Sequence, residues 1–362
     1  MTRKVALLFA AVLPLFASVA AASPVAAASL VAARVVSAVE AGDTPTIADE
    51  RPKRARREEP VRLYALVAVE RAGKRRWFSD APRVRLGGRA LTVEPLSALP
   101  ELTLRWYRVE PELANLSNTS SGSFRFEPIS YRLTAIEGSA GRGALVADVR
   151  PTLTPDHGDG VGTMRFAVHA ALGSVEVASP GPEARRGRGS GGLLDDVHRV
   201  SVRRDDTFLG YLTELYGQPY IWASAGATSA THQSERLEGS DCADFVVYAA
   251  RRMGLGVEYT WSGGLPAVTR LLARGELGAD GVYRDARGEP LPFPEPGDLI
   301  LFPRHVGALA ADRGVPGVLD EQDLLMHTLF DSPKEQPLAD SGYANTTVEL
   351  RRWKAAPARR RR

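Results

Sequence analysis

The sequence predicts a two-part chain, an all-β sandwich followed by an α+β domain, and three observations carry that expectation. Between Val61 and Ser179, short alternating runs are separated by turn residues, with few stretches of helical period. Beyond Leu193, helical signals dominate first and strand-like runs return near the C-terminus. Between the two, residues 180–192 (PGPEARRGRGSGG) read as a flexible, positively charged linker. A length of 362 residues suits two folded units of roughly 100–200 residues each plus connecting segments.

From the N-terminus, Met1-Thr2-Arg3-Lys4 precedes a mostly apolar run from Val5 to Ala22, broken by Pro14 and ending in Ala-rich cleavage options. A positive start and a short apolar core describe a secretory signal peptide over 1–22, the alternative being an uncleaved N-terminal anchor. The expected location is therefore periplasmic or extracellular, associated with the cell envelope. No later segment approaches the ~20 apolar residues that span a bilayer, so no transmembrane helix is expected in the mature chain. Residues 23–60 end in a mixed charge run (Arg51, Lys53, Arg54, Arg56, Arg57, Glu58, Glu59) and read as a linker.

The β unit is expected over 61–179. Val61–Val69, Leu102–Val109, Phe124–Phe126, Tyr131–Ile136, Ala144–Val149 and Met164–Val168 look like its strands. Leu104-Arg105-Trp106-Tyr107 and the later Gly162-Thr163-Met164-Arg165-Phe166-Ala167-Val168 resemble strands C and F of an immunoglobulin-like domain. That resemblance implies a sandwich with Trp106 as its core tryptophan. Residues 180–204 follow as a flexible linker, 205–354 as the second domain and 355–362 as a basic tail.

Charge excludes one class of partner. The net charge is +3, but Arg3 and Lys4 contribute +2 and Arg359–Arg362 contribute +4, which leaves −3 between them. Positive charge belongs to the ends, and nucleic-acid binding by the folded part is not expected. A single Cys excludes an internal disulfide and a Cys-rich metal centre, and six His without an HxH or HxxxH pair disfavour a metalloenzyme. No cofactor or metal is expected.

The lone cysteine carries the chemistry. In Gly239-Ser240-Asp241-Cys242-Ala243-Asp244-Phe245-Val246, apolar residues at 242, 245, 246, 249 and 253 have the spacing of an amphipathic helix. Ser240 or Asp241 is its N-cap and Gly254 its stop, so Cys242 falls in the first turn. There, exposed N–H groups and the helix dipole favour a thiolate. Downstream, Pro296-Gly297-Asp298-Leu299-Ile300-Leu301-Phe302 reads as a turn and strand, followed by strands carrying His305 and His327. A thiolate nucleophile needs an imidazole to take and return its proton, and that imidazole needs a polar group to fix its tautomer. Cys242, His305 and His327 fit those roles in that order.

Four segments resemble the NlpC-type family of bacterial cell-wall cysteine peptidases. They are Tyr216-Gly217-Gln218-Pro219-Tyr220-Ile221-Trp222, Ser240-Asp241-Cys242, the string 296–302, and His305-Val306-Gly307. The resemblance covers about 205–354 and implies a papain-like α+β fold for that domain. It further implies Cys242 as nucleophile, His305 as general base and acid, and His327 as orienting residue, with Tyr220 and Asp241 on the substrate and oxyanion side. Ala243-Asp244 stands where the family has Ser-Gly. The expected activity is hydrolysis of an amide bond in cell-wall (peptidoglycan) peptides, the γ-glutamyl–diaminopimelate bond among them. Two alternatives stay open. The nucleophile helix also resembles that of transglutaminase-like acyl transferases, whose third residue would be Asp312 or Asp323. The other is a catalytically retired wall-binding protein.

Overall fold

The computed structural model describes residues 29–40, 46–119, 121–187 and 190–354. The expected signal peptide and basic tail lie outside the described residues. Strand accounts for about 40% and helix for 11%, and the C-terminal part is built on a curled antiparallel sheet. The expectation of an α+β papain-like domain behind a small immunoglobulin-like sandwich is therefore overturned: the molecule is mostly β.

The reason lies in the punctuation of the second half. Gly and Pro recur at 217, 219, 226, 239, 254, 256, 263, 264 and 266, and they cut the helical signal into short pieces. Helices Phe208–Leu212 and Leu265–Val268 have five and four residues, and only Cys242–Arg252 reaches eleven. The run Thr269–Leu277, rich in Leu, Ala, Arg and Glu, is a strand because it pairs antiparallel with Val348–Trp353. Tertiary pairing overrides its local helix preference.

Two larger sheets occupy the N-terminal half. The first joins Ser29–Val39, Val61–Arg71, Lys74–Phe78 and Ala144–Val146. Strand Val61–Arg71 lies at its centre and buries seven consecutive residues, Leu63 to Val69. The second sheet runs Lys53–Arg56, His198–Arg203, Gly162–Leu172, Thr103–Pro111, Tyr131–Ala135, with Val175–Ala178 beside Gly162–Leu172. Trp106 sits opposite Val168 in this sheet and is 1% exposed. Strands Ser29–Val39 and Lys53–Arg56 fall in the stretch read as a linker, and His198–Arg203 in the stretch read as the second one.

The C-terminal sheet has seven antiparallel strands, in the order Tyr283–Arg284, Thr269–Leu277, Val348–Trp353, Leu299–Leu301, Val306–Ala311, Leu324–His327, Lys334–Pro337. Helix Cys242–Arg252 packs on its inner strand Val306–Ala311. The Pro296-Gly297-Asp298 string has a structural role in this sheet. Gly297 adopts φ 94°, and Asp298 accepts two bonds from the Arg352 guanidinium at 2.7 and 2.6 Å, tying two neighbouring strands together.

One apolar core runs through both halves, from Val35, Trp106 and Phe166 to Leu215, Phe245 and Val306. Beside it the fully buried Glu214 binds Arg252 at 3.1 and 3.2 Å, the Tyr248 hydroxyl and, from the strand-rich half, Arg54. Such a carboxylate is tolerated only because several donors replace its lost water. Among the described residues no helix is long and apolar enough to cross a membrane.

Candidate active site

The site begins with a capped helix. Asp241 is the N-cap of Cys242–Arg252, and its carboxylate accepts the Ala243 and Asp244 amides at 2.9 Å each. Residues Cys242 to Ala250 are buried, Arg251 and Arg252 occupy the last turn, and Gly254 at φ 87° follows the helix. Cys242 therefore takes its expected place in the first turn, 8% exposed.

The sheet supplies the imidazoles. His305 directly precedes strand Val306–Ala311 and His327 ends strand Leu324–His327, its antiparallel neighbour. Their rings meet with Nε2 of His305 at 2.7 Å from Nδ1 of His327. His305 is fully buried, with Phe302 and Tyr343 stacked against its ring at centroid distances of 5.8 and 5.0 Å. Among the described residues, Nδ1 of His305 and Nε2 of His327 have no hydrogen-bond partner. The next residue, Val306, places its backbone N–H where it favours a negative charge on the Cys242 sulfur. The structure thus brings Cys242, His305 and His327 to one place.

Tyr220 joins them through the backbone. Strand Tyr220–Trp222 is bridged to Ser240, and the Ile221 N–H donates to the Ser240 carbonyl at 2.9 Å, two residues before the cysteine. The Tyr220 ring meets Phe330 edge-on at 5.5 Å. Tyr220, Phe330, Asp241 and Cys242 line a cleft of about 560 Å³, while His305 and His327 are not among its lining residues. Its rim carries large exposed apolar side chains, Trp261 (73%), Phe330 (64%) and Trp222 (45%). Exposed aromatics clustered at a cleft mark a binding surface. Phe330 and Ala223 hold φ 55° and 54°, left-handed values that non-glycine residues adopt at a cost and that cluster at functional sites.

The electrostatics correct one expectation. Burial pushes the Cys242 thiol up, the neighbouring Asp241 carboxylate pushes it further, and the Val306 and Ala243 amides only partly oppose this. Burial also holds His305 well below the usual imidazole range, and the adjacent His327 adds to the effect. His327 itself is lowered to about 4 by burial, then by Lys334. Burial thus favours the neutral thiol and the neutral imidazole over the thiolate that a helix start by itself favours. Burial raises Asp241 to about 6.

Several residues around the cleft left no signal in the sequence. Trp261 and Tyr343 lie in segments with no motif of their own. Asp244, the departure at the second position after the cysteine, accepts from Ser224 Oγ at 2.5 Å and lies 3.4 Å from His232 Nε2. His232 stacks on Tyr259 with ring centroids 3.7 Å apart. Asp312 and Asp323, the third residues of the transglutaminase reading, instead accept backbone amides of Gly317, Arg313 and Asp320. The His305 ring has His327 as its partner, not a carboxylate. His157, His169 and His198 are not among the cleft's lining residues, and each has its own neighbour: Asp331, Tyr107 and Ser37. Among the described residues, no group of three or more His, Cys, Asp or Glu side chains is placed to hold a metal ion. Against protein-family models, curated proteins and solved structures, the chain has no match.

Proposed function

We propose that this protein is an exported cysteine hydrolase that cleaves an amide bond, with cell-wall peptides as its substrate class. One observation supports the reading above the rest. The Cys242 sulfur lies at the Val306 amide, and the preceding residue, His305, has one ring nitrogen bonded to His327 and the other unpartnered. For His305 to accept the thiol proton at Nδ1, its Nε2–H must donate to His327 Nδ1, so the second histidine fixes the reactive tautomer.

The step begins from the neutral pair. As the sulfur attacks the substrate carbonyl, its proton passes to His305 Nδ1, and the carbonyl π electrons move onto oxygen. The Tyr220 hydroxyl, on a residue that lines the same cleft, and the Cys242 N–H at the helix start are the donors for that oxyanion. Collapse expels the amine, which leaves with the His305 proton, and a thioester joins the acyl group to Cys242. Water, deprotonated by His305, then attacks the thioester, and the acid and free thiol are released. The resemblance to the NlpC-type peptidases names the substrate class, and the signal-peptide pattern at 1–22 supports export.

The upward shift of the thiol is the observation on the side of a non-catalytic wall-binding protein. The two readings part in one experiment. Purified protein is incubated with peptidoglycan fragments and the products are identified by mass spectrometry beside a Cys242→Ala control. New amide-cleavage products that vanish in the variant are expected. Equal products from both proteins would sink the thiol mechanism, and binding without cleavage by either would favour the retired form.

A further inference from the structure

We propose that Asn118, in the strand-rich half of the chain, is a positioning residue that sets the wall of the Cys242 cleft. The proposal rests on the hydrolase reading only for its kinetic consequence; the geometry stands apart from it.

The wall strand Tyr220–Trp222 is three residues long, and both of its end residues line the cleft. It is held by the parallel strand Asn115–Ser117, in register from Tyr220↔Asn115 to Trp222↔Ser117, and by its single bridge to Ser240. So short a strand has little pairing stability of its own, and its position depends on what fixes its ends. Its exit is Ala223, held at φ 54°. A non-glycine residue keeps that conformation only where its surroundings over-determine it.

Asn118 supplies that constraint. It is 1% exposed, and its Nδ2 donates to the Ala223 carbonyl and to Gln233 Oε1, at 2.9 Å each. Its Oδ1 accepts the Glu127 N–H at 2.9 Å, and its own N–H donates to the Trp222 carbonyl at 3.1 Å. Both side-chain donors are thus used against the wall or its support, and the oxygen is tied to the Glu127 backbone. Gln233, fully buried, extends the hold: its Oε1 also accepts the Ala225 N–H at 3.2 Å, and its Nε2 donates to the Ser190 carbonyl at 2.8 Å. Ser224, pinned between these two anchored residues, accepts the Asp241 N–H at 3.0 Å and donates to Asp244 at 2.5 Å. A connected polar network therefore runs from the N-terminal half to the residues that flank the nucleophile. Buried networks of this kind fix one arrangement, because each broken bond strands a polar atom away from water.

The single cysteine makes the test direct, since every thiol label reports on the cleft. Asn118→Asp keeps the shape and the Oδ1 acceptor but turns both donors into an acceptor facing two acceptors. Full-length variant and parent are labelled with iodoacetamide, which is small, and with a bulky aromatic maleimide, and thermal unfolding is followed alongside. We expect the maleimide-to-iodoacetamide rate ratio to change at least about fivefold while the iodoacetamide rate stays within about twofold and unfolding stays cooperative. Gln233→Glu, tested in parallel, is expected to move the ratio in the same way and carries the test if Asn118→Asp does not fold. An unchanged ratio, or two rates that move together with the unfolding midpoint, would overturn the assignment. On a cleaved substrate, kcat/KM is expected to fall about tenfold to a hundredfold in Asn118→Asp. If the parent cleaves nothing, the hydrolase reading fails while the label ratio still decides the role of Asn118.

Discussion

The Cys242 thiol is pushed up by its burial and shifted further by two neighbours with opposite effects. Burial and the Asp241 charge raise it, and the Val306 amide lowers it. Asp241 has two roles that can be separated, since Asn caps a helix about as well as Asp but carries no charge. Asp241→Asn is therefore expected to shift the pH profile of Cys242 alkylation toward lower pH, with helix stability changed by less than about 1 kcal/mol. A profile that stays in place would show that burial alone sets the thiol. Below the range of the raised thiol the parent should label slowly, because only the thiolate reacts. At this scale the sequence was informative where chemistry has a short signature. A lone cysteine after an N-cap, and two histidines on later strands, were legible. Trp261, Tyr343, Asn118 and Gln233 were not, because their roles arise from proximity across more than a hundred positions in some pairs, and no local pattern records that.

Among the elements, the helix Cys242–Arg252 was legible because its apolar spacing, N-cap and glycine stop all agree. The strand Thr269–Leu277 was not, since its composition favours a helix and only its partner Val348–Trp353 makes it extended. The junction between the wall strand and the helix Cys242–Arg252 depends on Gly239. Its φ is 143°, and an added Cβ would lie 2.6 Å from both the Pro219 carbonyl oxygen and the Ile221 side chain. Gly239→Ala is expected to destabilise the fold by about 1–3 kcal/mol, read from the denaturant midpoint, and to abolish cleavage by displacing Tyr220. A midpoint and a rate like those of the parent would show that the backbone absorbs the methyl group freely.

In the whole molecule, the two halves share one core, and buried polar groups cross between elements far apart in sequence. His198 is the clearest case for stability. It is 2% exposed, bonded to Ser37 Oγ at 2.7 Å, and held at about 4 against an ordinary 6.5, first by burial and then by Lys53. Between pH 6.5 and 4 the unfolded chain takes up a proton there that the folded chain refuses, so its contribution is complete above pH 6.5 and is lost on acidification. His232 and His327, also held at about 4, act in the same sense. Asp241 and Asp323, raised to about 6 mainly by burial, act in the opposite sense, since the folded chain keeps protons that the unfolded one has released. A single variant isolates one group from these offsets. His198→Gln is expected to lose less Tm than the parent between pH 7 and pH 5, and an equal loss would remove His198 from the acid response. By itself the sequence determined the capped helix, the cysteine at its start, the order of the two histidines and the strand-rich character of the first half. These rest on local spacing and short-range capping, which a chain carries in its own order. Only the tertiary structure decided that the molecule is mostly β, that the supposed linkers hold strands, and that Cys242 is buried, which pushes its thiol up. Strand pairing, shared burial and the desolvation of a charge depend on which distant segments meet.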